Sequence, residues 1–151
     1  MKYWPAEMTF VLTNKVQMKN SAKNIAFWGS VLTGILLLFI GGRFFLLPAT
    51  ATEAFGINVT TNGDNAFQYI KGIRDIFTGG IILLLLFTKE LRALGFALLL
   101  GCIIPTTDFL IVITRPQFDV NHIYAHLSAI LICLPLGIYY LRVSGAKAQK
   151  L

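Results

Sequence analysis

Four long apolar stretches each carry charged or titratable residues at one end, and this pattern leaves few folds open to the chain. The first stretch ends in Gly41-Gly42-Arg43, and the second opens with Lys71-Gly72-Ile73-Arg74-Asp75. The third holds Asp108 after Pro105, and the fourth opens with His122 and His126. Threaded back and forth through a bilayer, the four stretches bring these groups to a similar depth on one side. Charge inside a membrane is costly to bury, so such residues are read first as functional.

Composition supports a bilayer over water. Apolar residues make up 56% of the chain and charged residues 13%, against about 45–50% and about 25% in a soluble domain. Mean hydropathy is +0.69, and the apolar residues fall in blocks that a soluble core of 151 residues cannot hide. The expected fold class is therefore all-α, an integral membrane four-helix bundle of antiparallel spans. A span needs about 20 apolar residues of helix. The spans are expected at about 25–47, 67–88, 91–114 and 123–141, within a membrane domain over 25–142. The second is the weakest, because its first third is polar and only the 12 residues Ile76 to Phe87 are uniformly apolar, which also suits a re-entrant segment.

Basic residues set the orientation. Lys2, Lys15, Lys19 and Lys23 precede the first span, Lys89 and Arg92 lie between the second and third, and Arg142, Lys147 and Lys150 follow the fourth. The opposite loops offer Glu53 and Asp64, then Arg115 and Asp119. The excess of Lys and Arg places both termini in the cytoplasm. It also accounts for the net charge of +6 without nucleic acid, for which the chain carries no binding signature. The expected location is multi-pass in a bacterial inner (cytoplasmic) membrane. Ala49-Thr50-Ala51 has the form of a signal-peptidase site, but the apolar run before it is too long and starts too late, so the first span is expected to stay.

Residues 1–24 form a cytoplasmic segment. Trp4, Met8, Phe10, Val11 and Leu12 among lysines suit a short helix lying on the membrane surface, and a frayed tail is the alternative. Residues 143–151 form a cytoplasmic tail, and the outer loop from Pro48 to Asn65 can cap the bundle. Asn58-Val59-Thr60 in that loop is a glycosylation sequon. Cys102 and Cys133 lie inside apolar stretches with no CxxC pair, so they read as small apolar side chains and not as a redox or zinc motif.

The polar groups all fall in the outer half of the membrane. Arg43 lies about 6 Å inside its span end, Asp108 about 9 Å, and Arg74 and Asp75 about 10–12 Å. Three readings follow. As bundle glue, Arg43–Asp75 or Arg74–Asp108 bridges would lock helices that have little hydrophobic drive to associate in lipid. As a pocket, Asp108, Asp75 and His126 would be the acid–base candidates, with Arg43, Lys71, Arg74 and His122 binding a lipophilic or amphipathic molecule. Such a set suits isomerisation, cyclisation or hydrolysis. As a proton path, Asp and His could relay, but the inner half offers no titratable continuation. A metal site built on His122, His126 and Asp108 has only an i, i+4 histidine pair behind it, so no metal and no cofactor is expected.

Lys71 sits near the interface and could snorkel outward. Gly29, Gly34, Gly72, Gly79, Gly80, Gly95 and Gly101 allow close helix approach and permit, without requiring, a homodimer or protein partner. Pro105, one turn before Asp108, removes a hydrogen bond to the preceding turn and can open the helix there, and Pro135 can kink the fourth span.

Several landmarks together resemble a known family. They are Gly42-Arg43, Pro48, Phe55-Gly56, Lys71-Gly72-Ile73-Arg74-Asp75 with Gly79, Arg92-Ala93-Leu94-Gly95, and Pro105 with Asp108. On these the chain resembles, over roughly residues 25–142, a family of small four-span membrane proteins of unknown function (DUF4267). The resemblance implies a four-helix bundle and supplies candidate residues, but no activity. The glutathione-linked eicosanoid enzymes and the vitamin-K-epoxide reductases are similar in size, yet their Glu-Arg-x-x-Arg-Ala-His-type and CxxC motifs are absent here. The leading function is binding, with conversion as an extension, of a small amphipathic molecule among membrane lipids. The rival is a structural or accessory membrane subunit whose charges only pin its helices.

Overall fold

The computed structural model describes residues 6–57, 62–115 and 119–148, with side chains described between 20 and 145. All regular structure among them is helical: α1 (Ala6–Leu46), α2 (Pro48–Phe55), α3 (Ala66–Phe87), α4 (Leu91–Gly101), α5 (Ile103–Ile113) and α6 (Val120–Ala148). The sequon at Asn58 and the side chains of the segment before residue 20 lie outside the described residues. The backbone of α1 runs without interruption from Ala6.

Three helical stretches are long and apolar enough to cross a membrane: Asn20–Leu46, Leu91–Ile113 and Val120–Gly145. At 22 residues α3 is also long enough, but Lys71, Arg74 and Asp75 in its first half keep it out of that set. The outward surface is apolar to a degree that water would not tolerate. Trp28, Leu32, Phe39, Phe77, Leu100 and Leu131 are all exposed, and contiguous apolar surface on this scale marks a membrane contact.

Two tight seams organise the bundle. In the first, Gly41 of α1 faces Gly72 of α3, and Gly34 faces Gly79. A Cβ built on Gly79 would lie 2.6 Å from the Gly34 carbonyl oxygen, and one on Gly41 would lie 2.6 Å from that of Gly72. In the second, a Cβ on Gly95 of α4 would meet Leu141 of α6 at 2.8 Å, and one on Gly137 would meet Leu99 at 2.7 Å. In lipid, where apolar side chains gain little by leaving solvent, such backbone approach drives association by dispersion.

The seams converge on a dry core of Ala26, Ile82, Leu86, Leu94, Leu98, Cys102, Cys133, Leu136 and Tyr140. Both cysteines are free and buried in it. A small hydroxyl network ties α1 to α6 at this end. Tyr140 donates to the Ala26 carbonyl at 2.9 Å, and Ser30 Oγ lies 3.1 Å from the tyrosine oxygen.

Prolines and polar caps mark the breaks. The chain separates α4 from α5 at Cys102, where Pro105 cannot donate to the turn before it. The missing N–H would have faced the Gly101 carbonyl, while the Cys102 carbonyl keeps the Thr106 N–H at 3.2 Å and gains the Thr106 hydroxyl at 2.7 Å. Pro135, by contrast, leaves α6 continuous. Asp119 opens α6 by accepting from the Asn121 N–H at 2.9 Å. That bond, together with the Asn121 side-chain amide, holds the Asp119 carboxyl below the usual carboxylate range. The expected outer loop contains α2, which ends at Gly56 with φ of 92°. Gly56 is needed there twice over: the backbone is left-handed, and a Cβ would sit 2.6 Å from that of His122.

Candidate functional site

Running toward the core at Ile82, α3 presents Gln68, Lys71, Asp75, Gly79 and Ile82 inward at spacings of three and four. This is the inward stripe of an amphipathic helix, with ionisable groups occupying positions that hydrocarbon fills further along. Burial of Lys71 and Asp75 follows from that register.

The four central charges neutralise one another. Lys71 Nζ lies 2.9 Å from an Asp75 oxygen and 3.6 Å from an Asp108 oxygen. Arg74 places Nε 3.4 Å from Asp75 and a terminal nitrogen 3.0 Å from Asp108. Each carboxylate is thus shared by the same two cations. The Arg74–Asp108 and Lys71–Asp108 contacts tie α3 to α5, one turn beyond the Pro105 break. The side chains of Lys71 and Asp75 are 8% and 5% exposed. In such surroundings a pair is tolerable and a single charge is not.

Lys71 corrects one expectation. It does not snorkel outward but points into the bundle, 5.1 Å from the Phe44 ring centre and 4.6 Å from that of Phe55. Two carboxylates and two aromatic faces hold the ammonium more favourably than the interface does. The expected Arg43–Asp75 bridge does not form either, because Lys71 and Arg74 already occupy Asp75. Among the described residues Arg43 has no ion-pair partner.

The two histidines serve α2. His122 Nδ1 lies 3.2 Å from the Ala54 carbonyl oxygen, and His126 Nε2 lies 3.3 Å from that of Phe55. Carbonyls only accept, so the facing ring nitrogens carry the protons. The histidine pair thereby caps the C-terminal end of α2, whose last carbonyls have no helical partner. His126 also meets the Phe55 ring edge-on at 4.9 Å. No group of three His, Cys, Asp or Glu residues suited to a metal comes together among the described residues.

Beneath α2 lies a cavity of about 480 Å³, within the range of about 300–1,000 Å³ typical of small-molecule sites. Arg43, Lys71, Asp75, Asp108 and His126 line its polar end. Leu37, Ile82, Leu98, Ile132 and Cys133 line its apolar end. Of the expected site residues, Arg74 and His122 do not line it: Arg74 braces the two carboxylates from outside, and His122 holds α2. Phe44, Phe55 and Thr78 are wall residues that sequence reasoning did not single out for a site. Phe44 and Phe55 could have been suspected from their places beside Arg43 and Gly56. Thr78 carries no such signal. One turn before Lys71, Gln68 is 1% exposed with its carbonyl oxygen unpartnered among the described residues.

A family model described as "Domain of unknown function (DUF4267)" matches residues 34–140, which contain every one of these groups. Neither the curated proteins nor the solved structures contain a match.

Proposed function

The chain belongs to the DUF4267 family, whose description assigns no activity, and we propose from the site alone that it is a small-molecule binding protein of the membrane. The cavity carries this proposal. One end is ionic and the other hydrocarbon, the pattern that fits an amphipathic or lipid-like molecule. In this proposal α3 is the fourth span, threaded antiparallel to its neighbours with both termini in the cytoplasm. Mutual neutralisation of Lys71, Arg74, Asp75 and Asp108 is what makes its crossing affordable. The charged end then faces the outer leaflet of a bacterial inner membrane. Membrane lipids surround the bundle.

Binding has more support than conversion. Asp75 and Asp108, the expected acid candidates, are both occupied as acceptors by cations. Arg43 at the polar end stays a cation, so among the described residues a proton donor or base there would have to be His126, which meets no carboxylate or cation directly. The accessory-subunit alternative draws on the same ion pairs, since a self-neutralised cluster can simply pin helices. The two separate on a cavity-filling variant. Ala129 lines the cavity on α6, and Ala129→Phe fills it without touching a charge. Mass spectrometry of small molecules co-purifying with wild type, Ala129→Phe and Asp108→Asn is the test. A compound present in wild type and lost from a folded Ala129→Phe establishes the pocket. Equal profiles from equally folded proteins favour the accessory subunit.

A further inference from the structure

The cluster is not neutral once Arg43 is counted. Lys71 and Arg74 balance Asp75 and Asp108, and among the described residues Arg43 remains as an uncompensated cation in the cavity wall. A guanidinium without an anion is costly at the edge of hydrocarbon. Its planar fork matches a carboxylate or phosphate through two parallel hydrogen bonds.

The cavity also has a side. The lining residues exposed at the molecular surface are Leu36 and Phe39 on α1, Ala54 on α2, and Ala125, Ser128 and Ile132 on α6. None of the lining residues on α3, α4 or α5 is exposed. The cavity thus opens between α1 and α6, helices that touch far less than α1 and α3 do. Arg43 stands one turn beyond Phe39 on the same stripe of α1, at the polar end of that opening.

Resting on the binding proposal above, we infer that the ligand is a single-chain amphiphile with an oxyanion head. It enters sideways from the bilayer between α1 and α6, with its head on Arg43 and its tail toward Cys133 and Ile82. A carboxylate and a phosphate monoester present the same chemistry to the guanidinium, and the test separates them.

The test is equilibrium binding of radiolabelled palmitate, dodecyl phosphate and neutral methyl palmitate to the full chain in phosphatidylcholine nanodiscs. Wild type, Arg43→Gln, Arg43→Lys and Ala129→Phe are compared. Arg43 bridges to no described residue, so its replacement strands no buried charge, and circular dichroism confirms the fold of each variant. The expected result is tighter binding of one or both anions than of the ester. Arg43→Gln then weakens anion binding by about tenfold to a hundredfold and leaves the ester unchanged. Arg43→Lys falls between, and Ala129→Phe weakens all three. A preference between palmitate and dodecyl phosphate identifies the head. Anion binding unchanged in Arg43→Gln overturns the inference and leaves Arg43 as a partner of bilayer phosphates. An ester that binds wild type as tightly as the anions, and is lost in Ala129→Phe, also overturns it while the pocket stands. Failure of all three probes to bind removes the pocket as well.

Discussion

The two ends of this bundle solve the problem of helix association in different ways. At the dry end, Leu86, Leu94, Leu136 and Tyr140 pack over close-approaching helices, and the polar contribution is a pair of hydroxyls on the Ala26 carbonyl. At the other end, two cations share two carboxylates beside a cavity. A helix pair that needs only to hold together does so with glycine and leucine. Charge and empty volume are both costs, and their coincidence at one end is what separates a site from a scaffold.

The contrast makes the charged end the more fragile under single substitutions. Asp75→Ala leaves Lys71 and Arg74 with Asp108 alone, one buried cation in excess, and is expected to cost about 3–5 kcal/mol, read as a large fall in thermal midpoint in detergent. If Asp75→Ala melts with wild type, the ion pairs are not structural and the comparison fails. At the glycine seams the strain is steric. Gly79→Leu pushes a side chain into the Gly34 backbone and is expected to cost about 1–3 kcal/mol, with Gly80→Ala, whose Cβ would meet nothing within 4 Å, as the neutral control on the same helix. Equal melting of the two variants would remove the seam from the account.

The hydroxyl network at the dry end is worth less. Tyr140→Phe removes a donor to Ala26, and the expected loss is about 0.5–1.5 kcal/mol, since Ser30 can still reach the same carbonyl at 2.9 Å. A loss as great as that of Asp75→Ala would invert the comparison. The smallest effect lies outside both ends. Asp119 binds its proton less readily folded than unfolded, because its carboxylate accepts from Asn121. Its contribution is present above the ordinary aspartate value of about 3.9 and is lost as pH falls through the lowered folded value. The protection factor of the Asn121 amide should therefore fall as pH drops below about 5 in wild type but not in Asp119→Asn.

Much of the architecture was visible in residue order. Apolar blocks of membrane length announce helices in lipid, and Pro105 announces the break between α4 and α5. Pro135 permits a kink in the fourth span, and α6 runs through it as one continuous helix, because a proline's lost bond need not end a helix. The loop after Pro48 gave little sign of α2, whose eight residues depend on histidine caps supplied by α6, far along the chain.

The candidate site divides in the same way. Helical spacing alone puts Lys71 one turn from Asp75, and the polar starts of the apolar blocks bring Asp75 near Asp108. Which cation takes which carboxylate could not be read there, because several pairings satisfy the same net charge. The sequence by itself determined that this chain is helical, apolar in blocks long enough to cross a membrane, and charged at one end, since those properties depend on local periodicity and composition. Only the tertiary structure decided that Lys71 turns inward between Phe44 and Phe55, that Arg43 meets no anion among the described residues, and that an opening lies between α1 and α6. Each of these depends on distances between segments far apart in the chain, and periodicity along one helix carries no information about the separation of two.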